Sequence, residues 1–175
     1  MRPLRRGGGV KGKSGFALAA VIFVVDQFTK WLVAGPIGLT ELGQNIHVLP
    51  FFDLTRVHNE GISYGLLAAK SETGRWLLVA MTAAIAGVVG WWLTREEQRG
   101  DRLALGVVLG GALGNIVDRI RFGYVFDFAD LHIGDFRPFL VFNVADACIS
   151  IGVVILLLRA FLIRDAAPKE KLDDA

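Results

Sequence analysis

Residues 103–122 read LALGVVLGGALGNIVDRIRF, and this stretch decides the fold. It carries no charge from Leu103 to Val117 and, continued to Phe122, has the ~20 mostly apolar residues that a helix needs to cross a hydrocarbon core. Gly106, Gly110 and Gly114 recur at every fourth position, so one helix face is flat and lets another backbone come close. That face continues to Asp118. The segment GGALG lies inside the apolar run and lacks the Lys-Ser/Thr ending of a phosphate-binding loop, so its glycines read as packing residues.

Three more stretches outward from this one pass the same test. About Phe16–Val33 runs through ten uninterrupted apolar residues before Asp26. Trp76–Leu93 holds no charge, and about Phe139–Ile163 holds Asn143 and Asp146 near its start and Arg159 near its end. The composition agrees: 53% of the 175 residues are hydrophobic and the mean hydropathy is +0.49, against about 45–50% apolar residues in soluble domains. The expected fold class is an all-α membrane protein. Its four transmembrane helices form one domain over residues 16–163, between a basic tail at 1–15 and a second tail at 164–175.

The positive residues set the orientation, because short loops rich in Lys and Arg stay on the cytoplasmic side. Arg2, Arg5, Arg6, Lys11 and Lys13 precede the first span, Arg95, Arg99 and Arg102 link the second to the third, and Arg164, Lys169 and Lys171 follow the fourth. Both termini are therefore expected to be cytoplasmic. The other links, about 34–75 and 123–138, carry Glu41, Asp53, Glu60, Asp127, Asp130 and Asp135 and face outward. The first span is not a cleaved secretory signal, since no small-residue cleavage site closes it and Asp26 and Lys30 continue it. A net charge of +2, with its basic residues explained by topology, gives no reason to expect nucleic acid.

Within the first outer segment, Asn45–Leu49 and Phe52–Val57 alternate apolar and polar residues, the period of half-buried strands. A small extracytoplasmic sheet is expected there, followed by a short interfacial helix over Ser63–Ala69 with Tyr64 at headgroup depth. Residues 124–130 read as a further extended segment, which puts Asp127 on a strand or loop at the outer boundary.

Charged groups inside a span cost about 2.5–3.5 kcal/mol each, so each is a candidate for function. Asp26 and Lys30, four apart, form a helix-face ion pair. Asn115, Asp118 and Arg119 lie within one helical turn, where Arg119 is expected to hold Asp118 as its carboxylate and Asn115 to bridge to another helix. Asn143 and Asp146, three apart, point the same way at the outer end of the fourth span, at the depth of Asp127. Two carboxylates brought together cannot both ionise easily: one keeps a proton and the other acts as a base. Such a pair can activate water and protonate a carbonyl. The bland alternative is an Asp127 in a polar loop and an Asp146 that merely caps a helix.

Other chemistries lack their residues. The only cysteine, Cys148, permits no intramolecular disulfide, there is no HExxH pair, and His47, His58 and His132 are far apart in sequence, so neither a metal nor another cofactor is expected. No GxSxG turn is present for serine catalysis. A small proton-coupled transporter is the alternative for the intramembrane acids, but no internal repeat supports it.

At these residues the chain resembles the lipoprotein signal peptidases. The matching blocks are VDQFTK (Val25–Lys30), HNEG with SYG (His58–Gly65), GGALGNIVDR (Gly110–Arg119), VFDF (Val125–Phe128) and FNVAD (Phe142–Asp146), in the family's order and spacing. The resemblance implies an aspartyl endopeptidase of the bacterial cytoplasmic membrane, working as a monomer among membrane lipids. Its substrate would be a diacylglyceryl-modified prolipoprotein, cut before the lipidated cysteine. It implies that Asp127 and Asp146 are the catalytic pair, that Asn59, Asn115, Asp118, Arg119 and Asn143 support the site or contact substrate, and that Asp26 and Lys30 fill the first-span positions. The outer strands would form a cradle for the substrate. The chain departs from the family pattern at Ile62-Ser63-Tyr64 and at Leu140, with Pro138 displaced by two positions.

Overall fold

The computed structural model describes residues 13–61 and 72–165. In chain order the elements are α1 (Lys13–Ala34), β1 (Asn45–Leu49), β2 (Phe52–Asn59), α2 (Glu72–Arg95), α3 (Arg99–Phe122), β3 (Val125–Leu131) and α4 (Val144–Asp165). The four helices have 22, 24, 24 and 22 residues, which at about 1.5 Å per residue matches the thickness of a hydrocarbon core. All four are long and apolar enough to cross a membrane. Side chains turned away from the bundle, among them Val24, Trp31, Ile85, Val88, Leu157 and Phe161, are apolar and exposed, as a lipid-facing surface requires.

The third helix is the hub. It packs against α1, α2 and α4 and is the most deeply buried of the four helices. The glycines explain how it holds three neighbours. A Cβ on Gly106 would overlap the Gly15 carbonyl of α1, one on Gly110 would sit 2.5 Å from the Ala19 carbonyl oxygen, and one on Gly114 would overlap the Asp26 carboxylate. On the next face, a Cβ on Gly111 would lie 2.5 Å from the Ala145 carbonyl oxygen of α4. The helices thus approach backbone to backbone, the close packing that small residues permit in lipid.

Helix α3 ends at Gly123, whose left-handed φ of +85° lets its N–H reach the Arg119 carbonyl at 3.1 Å. The chain then enters β3, the last strand of an antiparallel sheet ordered β1-β2-β3. His47 pairs with Asp53, Asp53 with Asp130 and Val57 with Asp127, with a bulge in the β2–β3 pairing between Leu54 and Val57. Val33, Leu39, Leu54, Phe126, Phe128 and Ala129 form a second apolar core that seats the sheet on the end of α1.

The expected strands are present, but the fourth span begins later than its hydropathy suggests. Residues 139–143 are not helical: Phe142 pairs with Ala129 of β3, donating to its carbonyl at 3.0 Å and accepting its N–H at 2.8 Å. Helix α4 starts only at Val144 because Asn143 caps it, its side-chain oxygen accepting the Asp146 N–H at 2.9 Å. The expected interfacial helix at Ser63–Ala69 lies outside the described residues.

Gly110→Ala should lower the melting temperature of the detergent-solubilised protein, because overpacking a tight seam costs about 1–3 kcal/mol. Gly87→Ala, with nothing within 4 Å of the added carbon, should not. Equal melting of the two variants would mean that the α1–α3 seam has room to spare.

Candidate active site

Two connected polar layers occupy one end of the bundle. The deeper one is built on Lys30 of α1, which reaches Asp26 at 2.8 Å, Asp118 of α3 at 2.7 Å and the Asn115 side-chain oxygen at 3.2 Å. All four residues are buried. Gln27 donates to Asp118 at 2.9 Å. The free oxygen of Asp26 accepts the Ala145 N–H at 2.9 Å, inside the first turn of α4, and Asp118 accepts the Phe126 N–H at 3.3 Å at the start of β3. One buried cation therefore joins α1 to α3, and its two carboxylates extend the connection to α4 and the sheet.

The expected Asp26–Lys30 pair is present, whereas the expected Arg119–Asp118 pair is not. Adjacent residues on a helix point about 100° apart, so Asp118 turns toward α1 and meets Lys30 while Arg119 turns away. The Arg119 guanidinium donates weakly to the Asn115 carbonyl at 3.4 Å, and its buried Nε has no hydrogen-bond partner among the described residues. The negative charges acting on it are first Asp146, then Asp127, then Asp118.

The upper layer is organised by Asn143. Its side-chain nitrogen donates to Asp127 at 2.6 Å and to Asn115 at 3.2 Å. Its backbone N–H donates to Asp146 at 3.3 Å, while its side-chain oxygen accepts the Asp146 N–H at 2.9 Å. Those two reciprocal bonds are a capping box, with Asn143 at the cap and Asp146 three residues on. Asn115 donates to the other Asp146 oxygen at 2.7 Å, and Asn59 at the end of β2 donates to Asp127. Asp127 is fully buried and Asp146 half-buried.

The Asp127 carboxyl is pushed up to about 7, first by burial and then by the negative charge of Asp146, which outweigh the donations from Asn59 and Asn143. A carboxyl with a raised folded-state value favours the native fold when protonated. The cost of ionising Asp127 is therefore absent in acid and grows as the pH rises toward 7. The bland reading of Asp146 as a helix-capping residue is thus true of its geometry, but the same carboxylate also faces Asp127.

All the residues expected at the site converge on these two layers. Asp127, Asp146, Asn143, Asn115 and Asn59 make the upper one, Asp26, Lys30 and Asp118 the lower, and Arg119 lies beside both. Gln27, which sits within VDQFTK next to Asp26, joins the lower layer with no charge to mark it in the sequence. Two of the histidines held apart by sequence, His47 and His132, are brought together by the sheet around Asp53.

Four helices long enough to cross a membrane, with two neighbouring carboxylates at one end, fit a multi-pass membrane peptidase of the aspartyl type. The model of the signal peptidase (SPase) II family matches residues 18–162. The lipoprotein signal peptidase of Sphingopyxis alaskensis is 57% identical over 153 residues, 87% of this chain and 88% of that protein. That of Rhizorhabdus wittichii is 56% identical over 160 residues, 91% of this chain and 92% of its own. A bacterial membrane enzyme solved by the in meso method at 2.3 Å resolution superposes with a TM-score of 0.72 at 27% identity, over 93% of this chain and 94% of its own. The chain belongs to the signal peptidase II family.

Lys30→Met should destabilise the detergent-solubilised protein by about 3–5 kcal/mol, because it strands two buried carboxylates. Asp118→Asn should cost less, since Lys30 keeps Asp26. Thermal melts of both variants check this, and a more severe loss for Asp118→Asn would contradict the sharing of one cation.

Proposed function

We propose that Asp127 and Asp146 are the catalytic pair of an endopeptidase that removes signal peptides from diacylglyceryl-modified prolipoproteins, cutting before the lipidated cysteine. The observation that carries this reading is Asn143, which holds both carboxylates at once, while burial and the charge of Asp146 push the Asp127 carboxyl up to about 7. The lipoprotein signal peptidases to which the chain is similar supply the substrate class.

Asp146, the more open of the two, acts as general base on a water. The water oxygen bonds to the scissile carbonyl carbon as Asp127 gives its proton to the carbonyl oxygen. Asn143, and Arg119, whose Nε–H has no partner among the described residues and which feels the charges of Asp146 and Asp127, are the polar groups that steady the developing charge. Asp146 then passes its proton to the leaving cysteine nitrogen, the C–N bond breaks, and Asp127 recovers a proton from the diol. Asn59 and Asn115 fix the two carboxylates, while Asp26, Lys30 and Asp118 hold the helices beneath them. No cofactor enters these steps. The substrate's acyl chains stay in the bilayer beside the bundle, which delivers the scissile bond at the depth of the pair.

The cytoplasmic placement of both termini, with the site at the outer face, rests on the Lys and Arg of the tails and of the α2–α3 link. A transporter would need free intramembrane acids to relay protons, and Asp26 and Asp118 are both bound to Lys30. Reporter fusions after Leu67 and after Lys171 should read outside and inside, and the reverse pattern would overturn the orientation.

Asp127→Asn and Asp146→Asn keep size and hydrogen bonding but remove the shared proton, so prolipoprotein cleavage per folded enzyme should fall by at least about a thousandfold, while Asp118→Asn keeps measurable turnover. In the same assay, the parent enzyme's kcat/KM should drop about tenfold per pH unit above about 7 as the pair loses its proton. Appreciable turnover by either of the first two variants would falsify the assignment.

A further inference from the structure

The sheet carries a second cluster of ligand-type side chains on the face opposite Asp127. His47 lies on β1, Asp53 on β2, and His132 one residue past the end of β3. The pairings His47 with Asp53 and Asp53 with Asp130 put these residues on one face, and His132 shares it because it is two residues beyond Asp130. Asp127 has the other parity. Nothing in the peptidase mechanism uses this cluster.

His47 Nδ1 is 2.7 Å from one Asp53 oxygen, and His132 Nε2 is 3.4 Å from the other. One ligand atom from each of the three residues lies within 4.8 Å of the others. A zinc ion with bonds of about 2.0–2.2 Å places its ligand atoms about 3.3–3.5 Å apart, so small ring movements close this triangle on an ion. Asn45 donates to Asp53 at 3.0 Å and orients the carboxylate, as outer partners do at metal sites.

The independent observation is His132. Its side chain is only 11% exposed; Nε2 meets Asp53 at a long 3.4 Å, and the buried Nδ1 has no hydrogen-bond partner among the described residues. Buried polar atoms are almost always satisfied, and an unsatisfied one calls for a missing partner. His132 Nε2 and His47 Nδ1 approach the two oxygens of the same Asp53 carboxylate. The His47 side chain is 66% exposed, so one side of the cluster is open to solvent.

We propose that His47, Asp53 and His132 bind a divalent transition-metal ion, with zinc as the favoured species. Two imidazoles and one carboxylate suit zinc, whereas magnesium and calcium prefer all-oxygen shells. The ion joins one side chain from β1, one from β2 and one from the chain leaving β3. It acts as a clasp on the sheet that carries Asp127 and takes no part in peptide hydrolysis.

The test uses full-length, tag-free protein in detergent, stripped with a chelator and dialysed against zinc chloride or magnesium chloride. Elemental analysis should find about one zinc per chain, and zinc but not magnesium should raise the melting temperature. His47→Ala, at an exposed position whose loss leaves the apolar core intact, should lose both the bound zinc and the shift. His132→Gln should do the same if it folds. Absence of zinc from the parent protein, or equal retention by His47→Ala, would overturn the proposal and leave a plain histidine–aspartate hydrogen bond.

Discussion

A single ammonium group shared by two carboxylates, Lys30 between Asp26 and Asp118, is the interaction on which the molecule depends. No water solvates such groups inside a bilayer, and each charge is tolerable only when it is matched. One cation against two anions is incompletely matched, and the remainder is met by peptide dipoles. Asp26 accepts the Ala145 N–H at the positive end of α4, and Asp118 accepts the Phe126 N–H. Neutralising the lower layer therefore fixes where α4 begins and where β3 leaves α3. Those are the two places from which Asp127 and Asp146 project.

This arrangement is possible only because α3 offers no side chains in the way. Gly114 lies directly against the Asp26 carboxylate, and Gly111 against the Ala145 carbonyl. A methyl group at Gly114 would displace the Asp26 carboxylate from its hydrogen bonds, and one at Gly111 would press on the α4 backbone at Ala145. The glycine stripe and the polar cluster are in this sense one device.

Much of this was legible in the sequence, for identifiable reasons. Span length and hydropathy reveal the helices because lipid leaves no other option for the backbone, and alternation reveals β1 and β2 because one sheet face is apolar. Spacing along α3 offers Arg119 as the partner of Asp118, because it gives candidate neighbours without saying which of them faces another helix; the structure gives Asp118 to Lys30. Hydropathy starts α4 too early because Phe139 and Leu140 are apolar enough to continue a span, while the event that starts the helix is a local cap at Asn143. The meeting of His47 and His132 depends on strand order and register, which no single segment encodes.

The reciprocal bonds between Asn143 and Asp146 have a thermal consequence. The end of a helix frays more readily than its middle, and here the first turn of α4 is also the mount of one acidic side chain. Each excursion that unwinds this turn releases Asp146 from Asn143 and at the same moment loosens the Asn143 grip on Asp127. Loss of competence would thus precede loss of fold on warming, and amide exchange at Ala145 and Asp146 would report the poise of the pair.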